Sequence, residues 1–147
     1  MLKEGDPFPK FSLQDQDGKT VTNADLQGTR AVIYFYPKDD TPGCTVEACE
    51  FRDRPPAGAR LIGISPDSPK SHTKFIQKFS LNFTLLADTD HKLAEACGIW
   101  VEKMNYGKPY MGVERTTFVL DESGNVSNVW RKVKPQGHAQ EVASTIK

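Results

Sequence analysis

The sequence predicts an α/β fold in which helices flank a central mixed β-sheet, with a β-hairpin at the N-terminus. Two apolar, β-branched runs, 31–36 and 61–64, are typical of strands buried on both faces. Segments with helix start and stop signals alternate with these runs, which favours parallel βαβ units. A late hairpin signal adds antiparallel strands, so the sheet should be mixed.

The N-terminal part predicts the first hairpin and the first buried strand. Residues 11–21 alternate apolar and polar side chains around the Asp-Gly dipeptide at 17–18, which is a turn signal. Two short edge strands are therefore expected. The run 31–36 is the central strand, and Pro37 ends it.

A helix should begin at Pro42 and stop by Arg54, because the two prolines that follow cannot continue it. The strand at 61–64 comes next. For this order of strand, helix and strand, a right-handed parallel crossover is the default.

The rest of the chain predicts six further elements and one loop. The elements are a helix at 69–79, a strand at 83–87, a helix capped by Asp88 or Asp90 and running to Cys97, hairpin strands at 116–120 and 126–130, and a final helix at 136–146. The segment 100–112 is rich in Gly, Pro, Asn and Tyr, and is predicted to be a loop.

Length and charge limit the class of protein. With 147 residues, the chain fits one domain, 1–147, that can bury a core without disulfides. The 19 Lys and Arg residues equal the 19 Asp and Glu residues, so neither nucleic acid nor an anionic membrane is an expected partner. The start lacks the apolar core of a signal peptide, and the cysteine count does not fit a secreted framework, so we expect a cytoplasmic protein.

The segment 36–49, YPKDDTPGCTVEAC, joins the central strand to the first helix. Thr41 is suited to the N-cap and Pro42 to the first helical position, while Gly43 leaves the backbone open beside Cys44. Cys44 therefore falls in the first turn, where free N–H groups and the helix dipole favour a thiolate. Lys38, Asp39 and Asp40 are predicted to form a solvated loop face.

Cys49 follows Cys44 by five residues on the same predicted helix. On an ideal helix the Cα atoms of such a pair lie roughly 8 to 9 Å apart. A disulfide requires about 4.4 to 6.8 Å. The pair therefore indicates a couple that bonds only when the helix unwinds locally, and a permanent disulfide is the weaker interpretation.

Pro37, Thr41 and Cys44 form the pattern P-x-x-x-T-x-x-C, which resembles the active site of peroxiredoxins, and Arg115 lies in the companion segment ERTTF. Together with GCTVEACEFRD, GISPDSP, LLADTD and YMGVERTTFVLDESG, these segments resemble the subgroup called bacterioferritin comigratory protein or peroxiredoxin Q. The match runs from about Glu4 to the last helix. It implies a thioredoxin-like fold, which the order of elements also suggests.

The resemblance implies a role for each residue. Cys44 would be the thiol that attacks a hydroperoxide and becomes a sulfenic acid, and Cys49 would resolve it as an intramolecular disulfide. Thr41 would hydrogen-bond to the thiolate or the peroxide, Pro37 would shape the pocket, and Arg115 would supply cationic donors. Thioredoxin or a similar dithiol would reduce the disulfide of a monomeric enzyme. Glu47 is a candidate to orient Arg115.

The remaining cysteine and the histidines suggest no further chemistry. Cys97 lies among apolar residues and is predicted to be a buried core thiol, with a resolving role only if Cys49 is inert. His72, His91 and His138 form no zinc pattern with the cysteines. No dinucleotide or flavin motif is present, so no cofactor is expected.

Two other functions remain open from the residues. A general dithiol-disulfide oxidoreductase is the other common use of this fold, although such enzymes resemble C-x-x-C, whereas four residues separate Cys44 and Cys49 here. A redox sensor or holdase could use the same cysteines. Multiple turnover with peroxide favours the peroxidase, and a single stoichiometric oxidation that alters partner binding favours the sensor.

Overall fold

The computed structural model describes residues 2–146. A seven-stranded sheet and a separate two-stranded sheet are surrounded by helices. The strands are β1 (Ser12–Asp15), β2 (Thr20–Thr22), β3 (Arg30–Phe35), β4 (Ala59–Ser65), β5 (Thr84–Ala87), β6 (Trp100–Asn105), β7 (Lys108–Val113), β8 (Thr116–Leu120) and β9 (Val126–Trp130). The helices are a 3₁₀ helix at Asn23–Leu26, α1 (Pro42–Asp53), α2 (Pro69–Phe79), α3 (Lys92–Ala96) and α4 (His138–Thr145).

The large sheet is mixed, as predicted, and has the order β2-β1-β5-β4-β3-β8-β9. Strand β3 pairs in parallel with β4, and β4 pairs in parallel with β5. The predicted βαβ unit is therefore present. Strands β8 and β9 form the late antiparallel hairpin, and β8 pairs antiparallel with β3. Strand β3 thus lies between β4 and β8.

Two apolar cores cover the two faces of the sheet. Along β3, alternate side chains point to opposite faces: Ile33 belongs to one core and Tyr34 to the other. The first core also contains Cys97 and the apolar residues of α3. The second contains the buried residues of α1, α2 and α4, including Cys44. Helices α1, α2 and α4 therefore pack on the same face of the sheet.

The predicted loop at 100–112 is wrong, because this segment is the antiparallel pair β6 and β7. Tyr106 and Gly107 connect the strands, with φ of 52° and 79°. A two-residue hairpin turn of the primed type requires positive φ at both positions, and the glycine meets this requirement without strain. The content of Gly, Pro and Tyr marks the turn and an exposed hairpin rather than a loop.

The ends of the helices differ little from the prediction. Helix α1 ends at Asp53, one residue before the predicted limit. Helix α3 ends at Ala96, and the Asp88 carboxylate accepts hydrogen bonds from the backbone N–H groups of Leu93 and Ala94 at 3.2 and 2.9 Å. Helix α4 begins two residues later and ends one residue earlier than predicted. Across residues 2–146, none of the helices has the length and apolar content needed to cross a membrane.

Gly63 in β4 provides a test of the packing between the sheet and the α1 face. A Cβ at Gly63 would lie 2.8 Å from Leu85 Cδ2 and 3.0 Å from ring atoms of Tyr34. Because both neighbours are fully buried, Gly63→Ala should lower the free energy of unfolding by about 1–3 kcal/mol in urea denaturation. Gly112→Ala in β7, whose Cβ would meet only Lys103 and Tyr110 side chains at 3.4 Å or more, should change it by less than about 0.5 kcal/mol. Equal effects of the two substitutions would contradict this account.

Candidate active site

Strand β3 and helix α1 determine the position of Cys44. Residues 36–41 follow β3, and Thr41 occupies the N-cap position with extended backbone, φ −95° and ψ 157°. Pro42 begins the helix, so Cys44 lies in the first turn, as predicted. Its side chain is only 2% exposed and belongs to the apolar core that includes Tyr34.

Arg115 lies between β7 and β8 and reaches Cys44 across the site. Its Nη2 donates a hydrogen bond to Cys44 Sγ at 3.3 Å, and its Nη1 donates to Glu47 Oε1 at 2.6 Å. The Arg115 side chain is 15% exposed and that of Glu47 is fully buried. One guanidinium therefore contacts both the thiol and a buried carboxylate.

Burial and Arg115 shift the pKa of Glu47 in opposite directions. Burial raises the pKa of Glu47 from 4.5 to about 7, and the opposing effect of Arg115 is smaller. Within the described residues, Oε2 of Glu47 is buried and has no hydrogen-bond partner. The charge of Glu47 therefore changes close to neutral pH, and Arg115 is the group that stabilises its ionised form.

Arg115 itself remains cationic. Burial acts to lower the pKa of Arg115, but Glu47 and Cys44 more than offset this effect, so the pKa lies above its ordinary value. A permanent positive charge with a rigid set of donors thus lies beside the sulfur. Such donors can stabilise negative charge on a bound oxygen.

Gly43 is a site residue whose contact with Arg115 the sequence did not reveal. A Cβ at this position would lie 3.3 Å from Pro135 Cγ and 3.4 Å from Arg115 Nη2. These separations are tighter than most side chains tolerate. The absence of a side chain at position 43 therefore lets the guanidinium approach the start of α1.

Thr41 and Pro37 precede Cys44 in the chain, at the N-cap of α1 and in the loop before it. The Thr41 backbone is the N-cap, but its side chain does not cap the helix, contrary to the usual expectation for this residue. Its Oγ1 instead donates a hydrogen bond to the carbonyl oxygen of Lys38 at 3.0 Å. The hydroxyl proton is thereby engaged, and the oxygen can accept a hydrogen bond from a ligand. Pro37 is half-buried directly after Tyr36.

The other two cysteines occupy different environments. Cys49 lies on α1 with Cys44, is half-buried, and is a free thiol. Cys97 is fully buried in the core on the opposite face of the sheet, as predicted for a core thiol. Burial, and to a lesser extent Asp88, raises the pKa of Cys97 to about 12, so this thiol stays protonated.

Lys103 is a further residue near the site that the loop prediction missed. It lies on β6, and the Lys103 side chain passes over Gly112, since a Cβ there would lie 3.4 Å from its Cδ. Burial and Arg115 lower the pKa of Lys103, and Cys44 acts to raise it. The hairpin of β6 and β7 thus places a second cation in the electrostatic environment of Cys44.

The prediction of a solvated loop face is wrong for one of its three residues. Lys38 and Asp40 are exposed, whereas Asp39 is 8% exposed and hydrogen-bonds to side chains of the core. Local sequence gave no sign of this difference, because the partners of Asp39 on α2 are more than 30 residues away.

A thioredoxin-like sheet with a thiol in the first turn of a helix, beside a half-buried arginine, defines a thiol-based redox enzyme. Comparison with known proteins specifies the family. The AhpC/TSA family model matches residues 4–129. The chain therefore belongs to the AhpC/TSA family, in its peroxiredoxin Bcp and peroxiredoxin Q group, whose members are thiol peroxidases.

Individual relatives cover almost the whole chain. The chain is 49% identical to peroxiredoxin Bcp of Bacillus subtilis and 46% identical to that of Escherichia coli K12; each match is over 150 residues, 99% of this chain and 96% of the relative. A structure of the Xanthomonas campestris bacterioferritin comigratory protein is similar with a TM-score of 0.87 and 42% identity, covering 92% of this chain and 89% of that one. PrxQ of Xylella fastidiosa is similar with a TM-score of 0.92 and 34% identity, covering 99% and 95%.

Substitution of Gly43 tests whether the approach of Arg115 to Cys44 matters. Gly43→Ala introduces a Cβ against Arg115 Nη2 and Pro135 Cγ, so the guanidinium must shift by a few tenths of an ångström. Misplaced donors lose transition-state stabilisation, and kcat/KM for hydrogen peroxide should fall about tenfold. Gly58→Ala, at the opposite end of β3 from the site, is the control: its φ of 71° makes alanine costly for stability, but kcat/KM should stay at the wild-type value. Unchanged peroxide reduction in the Gly43→Ala variant would show that this approach is not required.

Glu47→Gln tests the ionisation of the buried carboxylate. Because the pKa of Glu47 is raised to about 7, its charge is absent at pH 5 and present at pH 8. The charged form holds Arg115 more strongly, so kcat/KM of the wild type relative to the variant should rise about fivefold from pH 5.5 to 8.

The free energy of unfolding should change with pH in the opposite direction to kcat/KM. A raised pKa means that the contribution of Glu47 is fully present below pH 4.5 and is lost as the pH rises through about 7. The wild type should therefore lose up to about 3 kcal/mol of unfolding free energy relative to Glu47→Gln over this interval. A pH-independent difference in both measurements would contradict the assignment.

Proposed function

We propose that the protein reduces hydrogen peroxide and organic hydroperoxides through a sulfenic acid formed on Cys44. The observation that carries the proposal is the contact of 3.3 Å between Arg115 Nη2 and Cys44 Sγ in the first turn of α1. The helix N-terminus and the guanidinium both favour negative charge at this position. Family membership supports the same reaction class.

In the first step, the Cys44 thiolate attacks one oxygen of the hydroperoxide. A sulfur–oxygen bond forms, the oxygen–oxygen bond breaks, and the sulfur loses two electrons to the peroxide. The departing oxygen takes a proton and leaves as water or an alcohol. Arg115 stabilises the charge on this oxygen, and Thr41 Oγ1, whose own proton is engaged with Lys38, accepts a hydrogen bond from the peroxide O–H. Pro37 shapes the entrance.

Ionisation of the thiol is only part of the activation. Full ionisation of a cysteine at neutral pH raises its thiolate fraction only ~30-fold above that of an ordinary cysteine. Enzymes typically accelerate reactions by about 10⁶-fold or more. The larger contribution comes from alignment of the oxygen–oxygen bond with the sulfur and from the donors of Arg115.

In the second step, the Cys49 thiol attacks the sulfur of the Cys44 sulfenic acid. A disulfide forms, the sulfur–oxygen bond breaks, and the oxygen leaves as water with the proton that Cys49 gives up. Both residues lie within the continuous helix α1, where the ideal Cα separation of roughly 8 to 9 Å exceeds the range of a disulfide. The first turns of α1 must therefore unwind during each cycle. Cys97, on the opposite face of the sheet, is unsuited to this role.

An external dithiol of the thioredoxin type then reduces the disulfide and returns Cys44 and Cys49 to thiols. A reducing compartment, the cytoplasm, suits an enzyme that uses such a reductant. The protein acts as a single domain and a monomer in this proposal, because both cysteines of the cycle are supplied by one helix of one chain.

Serine variants test the assignment of the two cysteines. Cys44→Ser should abolish peroxide consumption in the presence of thioredoxin and its reductase, because no other thiol is placed beside Arg115. Cys49→Ser should consume one equivalent of peroxide and then stop, with no internal disulfide. Mass spectrometry of alkylated and non-alkylated protein distinguishes these states.

Cys97→Ser serves as the matched control and should retain multiple turnover. An internal disulfide in the Cys49→Ser protein, now through Cys97, would overturn the assignment of Cys49. A wild-type protein that is oxidised once by peroxide but is not turned over by any dithiol would instead favour a sensor or holdase.

A further inference from the structure

The loop between β3 and α1, residues 36–41, contains a buried polar network that the peroxidase steps do not use. Its central residue is Asp39, which is 8% exposed although its neighbours Lys38 and Asp40 are exposed. Burial of a carboxylate is costly unless hydrogen bonds compensate for the lost water. The partners of Asp39 therefore indicate what the residue does.

Both oxygens of Asp39 accept hydrogen bonds from side chains. The Tyr36 hydroxyl donates to Oδ1 at 2.5 Å, while Ser71 Oγ and His72 Nδ1 contact Oδ2 at 2.8 and 2.7 Å. The backbone N–H of Asp39 donates to Asp67 Oδ2 at 2.7 Å. The loop is thereby connected to the end of β3, to the segment after β4 and to α2.

His72 extends the network to β5. Its side chain is fully buried, and its Nε2 lies 2.9 Å from the carbonyl oxygen of Leu86. A carbonyl can only accept a hydrogen bond, and Nδ1 faces a carboxylate. The contact with Leu86 therefore assigns a proton to Nε2, and a second hydrogen bond joins Nδ1 of His72 to Oδ2 of Asp39 inside the core. Removal of Asp39 takes away the partner of His72 Nδ1.

The location of this pair relates it to Cys44. Asp39 lies two residues before the N-cap Thr41 and five residues before Cys44. Its partners Ser71 and His72 lie on α2, and Leu86, which His72 contacts, lies on β5. The pair of Asp39 and His72 thus connects the segment before α1 to two elements outside that helix.

We propose that Asp39 and His72 form a latch, defined here as this buried hydrogen-bonded pair, that holds the start of α1 in the conformation that reacts with peroxide. Both are positioning residues, since neither contacts Cys44. The latch also sets how readily the first turns open for Cys49. This inference rests on the proposed function and extends it to control of the balance between two conformations.

The latch should influence a third reaction of Cys44. While α1 is wound, the sulfenic acid remains beside Arg115, where a second hydroperoxide can transfer an oxygen to it. The sulfur then becomes a sulfinic acid, and the hydroperoxide leaves as water or an alcohol. The unwound form escapes this oxidation by forming the disulfide. A weaker latch should therefore slow the first peroxide reaction, speed up disulfide formation and reduce the sulfinic acid product.

Asp39→Ala removes the acceptor and tests the latch by rapid acid quench, alkylation and mass spectrometry with hydrogen peroxide. Oxidation of Cys44 should be about tenfold slower and disulfide formation severalfold faster, since a buried charged hydrogen bond is lost. The fraction of sulfinic acid at high peroxide should fall. Asp40→Asn is the matched control: Asp40 is exposed and, among residues 2–146, its side chain pairs with Lys78 alone, so all three values should stay at the wild-type level.

Asp39→Asn tests whether the geometry of the network is what matters. An amide can accept from Tyr36 and donate to Nδ1 of a neutral His72 that still donates to Leu86, so the hydrogen bonds persist without the charges. Its rates should lie within about threefold of the wild type, because neutral bonds retain part of the stabilisation. Should Asp39→Ala fail to fold, Ser71→Ala removes one contact and should change the rates in the same directions by a smaller factor.

Opposite changes in the two steps are the decisive result, because general disorder would slow both. Asp39→Ala or Ser71→Ala rates equal to the wild type, or proportional slowing of peroxide reaction and disulfide formation, would overturn the latch. A wild-type protein without Cys44-dependent peroxide turnover would reject the proposed function instead. The two failures are therefore distinguishable in the same experiment.

Discussion

The site depends on the sharing of one guanidinium between a thiol and a buried carboxylate. Arg115 contacts Cys44 Sγ at 3.3 Å and Glu47 Oε1 at 2.6 Å. The sheet register brings it there: Phe35 at the end of β3 is paired with Thr116 at the start of antiparallel β8. The residue before β8 must therefore lie beside the loop that follows β3. Because that loop leads directly into α1, the pairing of two strands fixes the distance between cation and sulfur.

The same helix has to hold Cys44 firmly and yet release it in the proposed cycle. The C-terminal half of α1 is attached by apolar and polar contacts: Phe51 stacks on Tyr34 with ring centroids 4.7 Å apart, and Glu50 accepts from the backbone N–H of Gly137 at 2.8 Å. In its first turn, Cys44 belongs to the apolar core and accepts a hydrogen bond from Arg115. Oxidation removes the negative charge from the sulfur and weakens this contact. Opening is thereby favoured at the N-terminal end, after peroxide has reacted.

The features that the sequence predicts correctly are those that residues close together in the chain determine. The order of buried strands and helices follows from apolar runs, prolines and caps, each of which acts within a few residues. Cys44 in the first turn of α1 was predicted for the same reason. Arg115 was selected only through resemblance, since nothing in its neighbours shows that β8 pairs with β3. Asp39 was assigned to solvent because its partner His72 is 33 residues away, and no local pattern reports such a contact.

The hairpin of β6 and β7 was missed for a different physical reason. Its strands pair only with each other, and most of their side chains are exposed, so the alternation that identifies a half-buried strand is weak. Glycine and proline in this segment are compatible with an edge and a tight turn as well as with a loop.

Glu47 explains how Arg115 keeps a hydrogen-bond partner while the charge of the Cys44 sulfur changes. During the proposed cycle the thiolate becomes a neutral sulfenic acid and then a disulfide, so Cys44 cannot be the permanent partner of a guanidinium that is 15% exposed. Glu47 is closer to Arg115 than the sulfur is, and it lies on the same helix. Its burial makes ionisation costly, which raises its pKa to about 7, and the compensation comes from Arg115 alone. The carboxylate therefore remains a hydrogen-bond partner of Arg115 after the sulfur has lost its charge, so the guanidinium keeps one of its two contacts through the oxidation of Cys44.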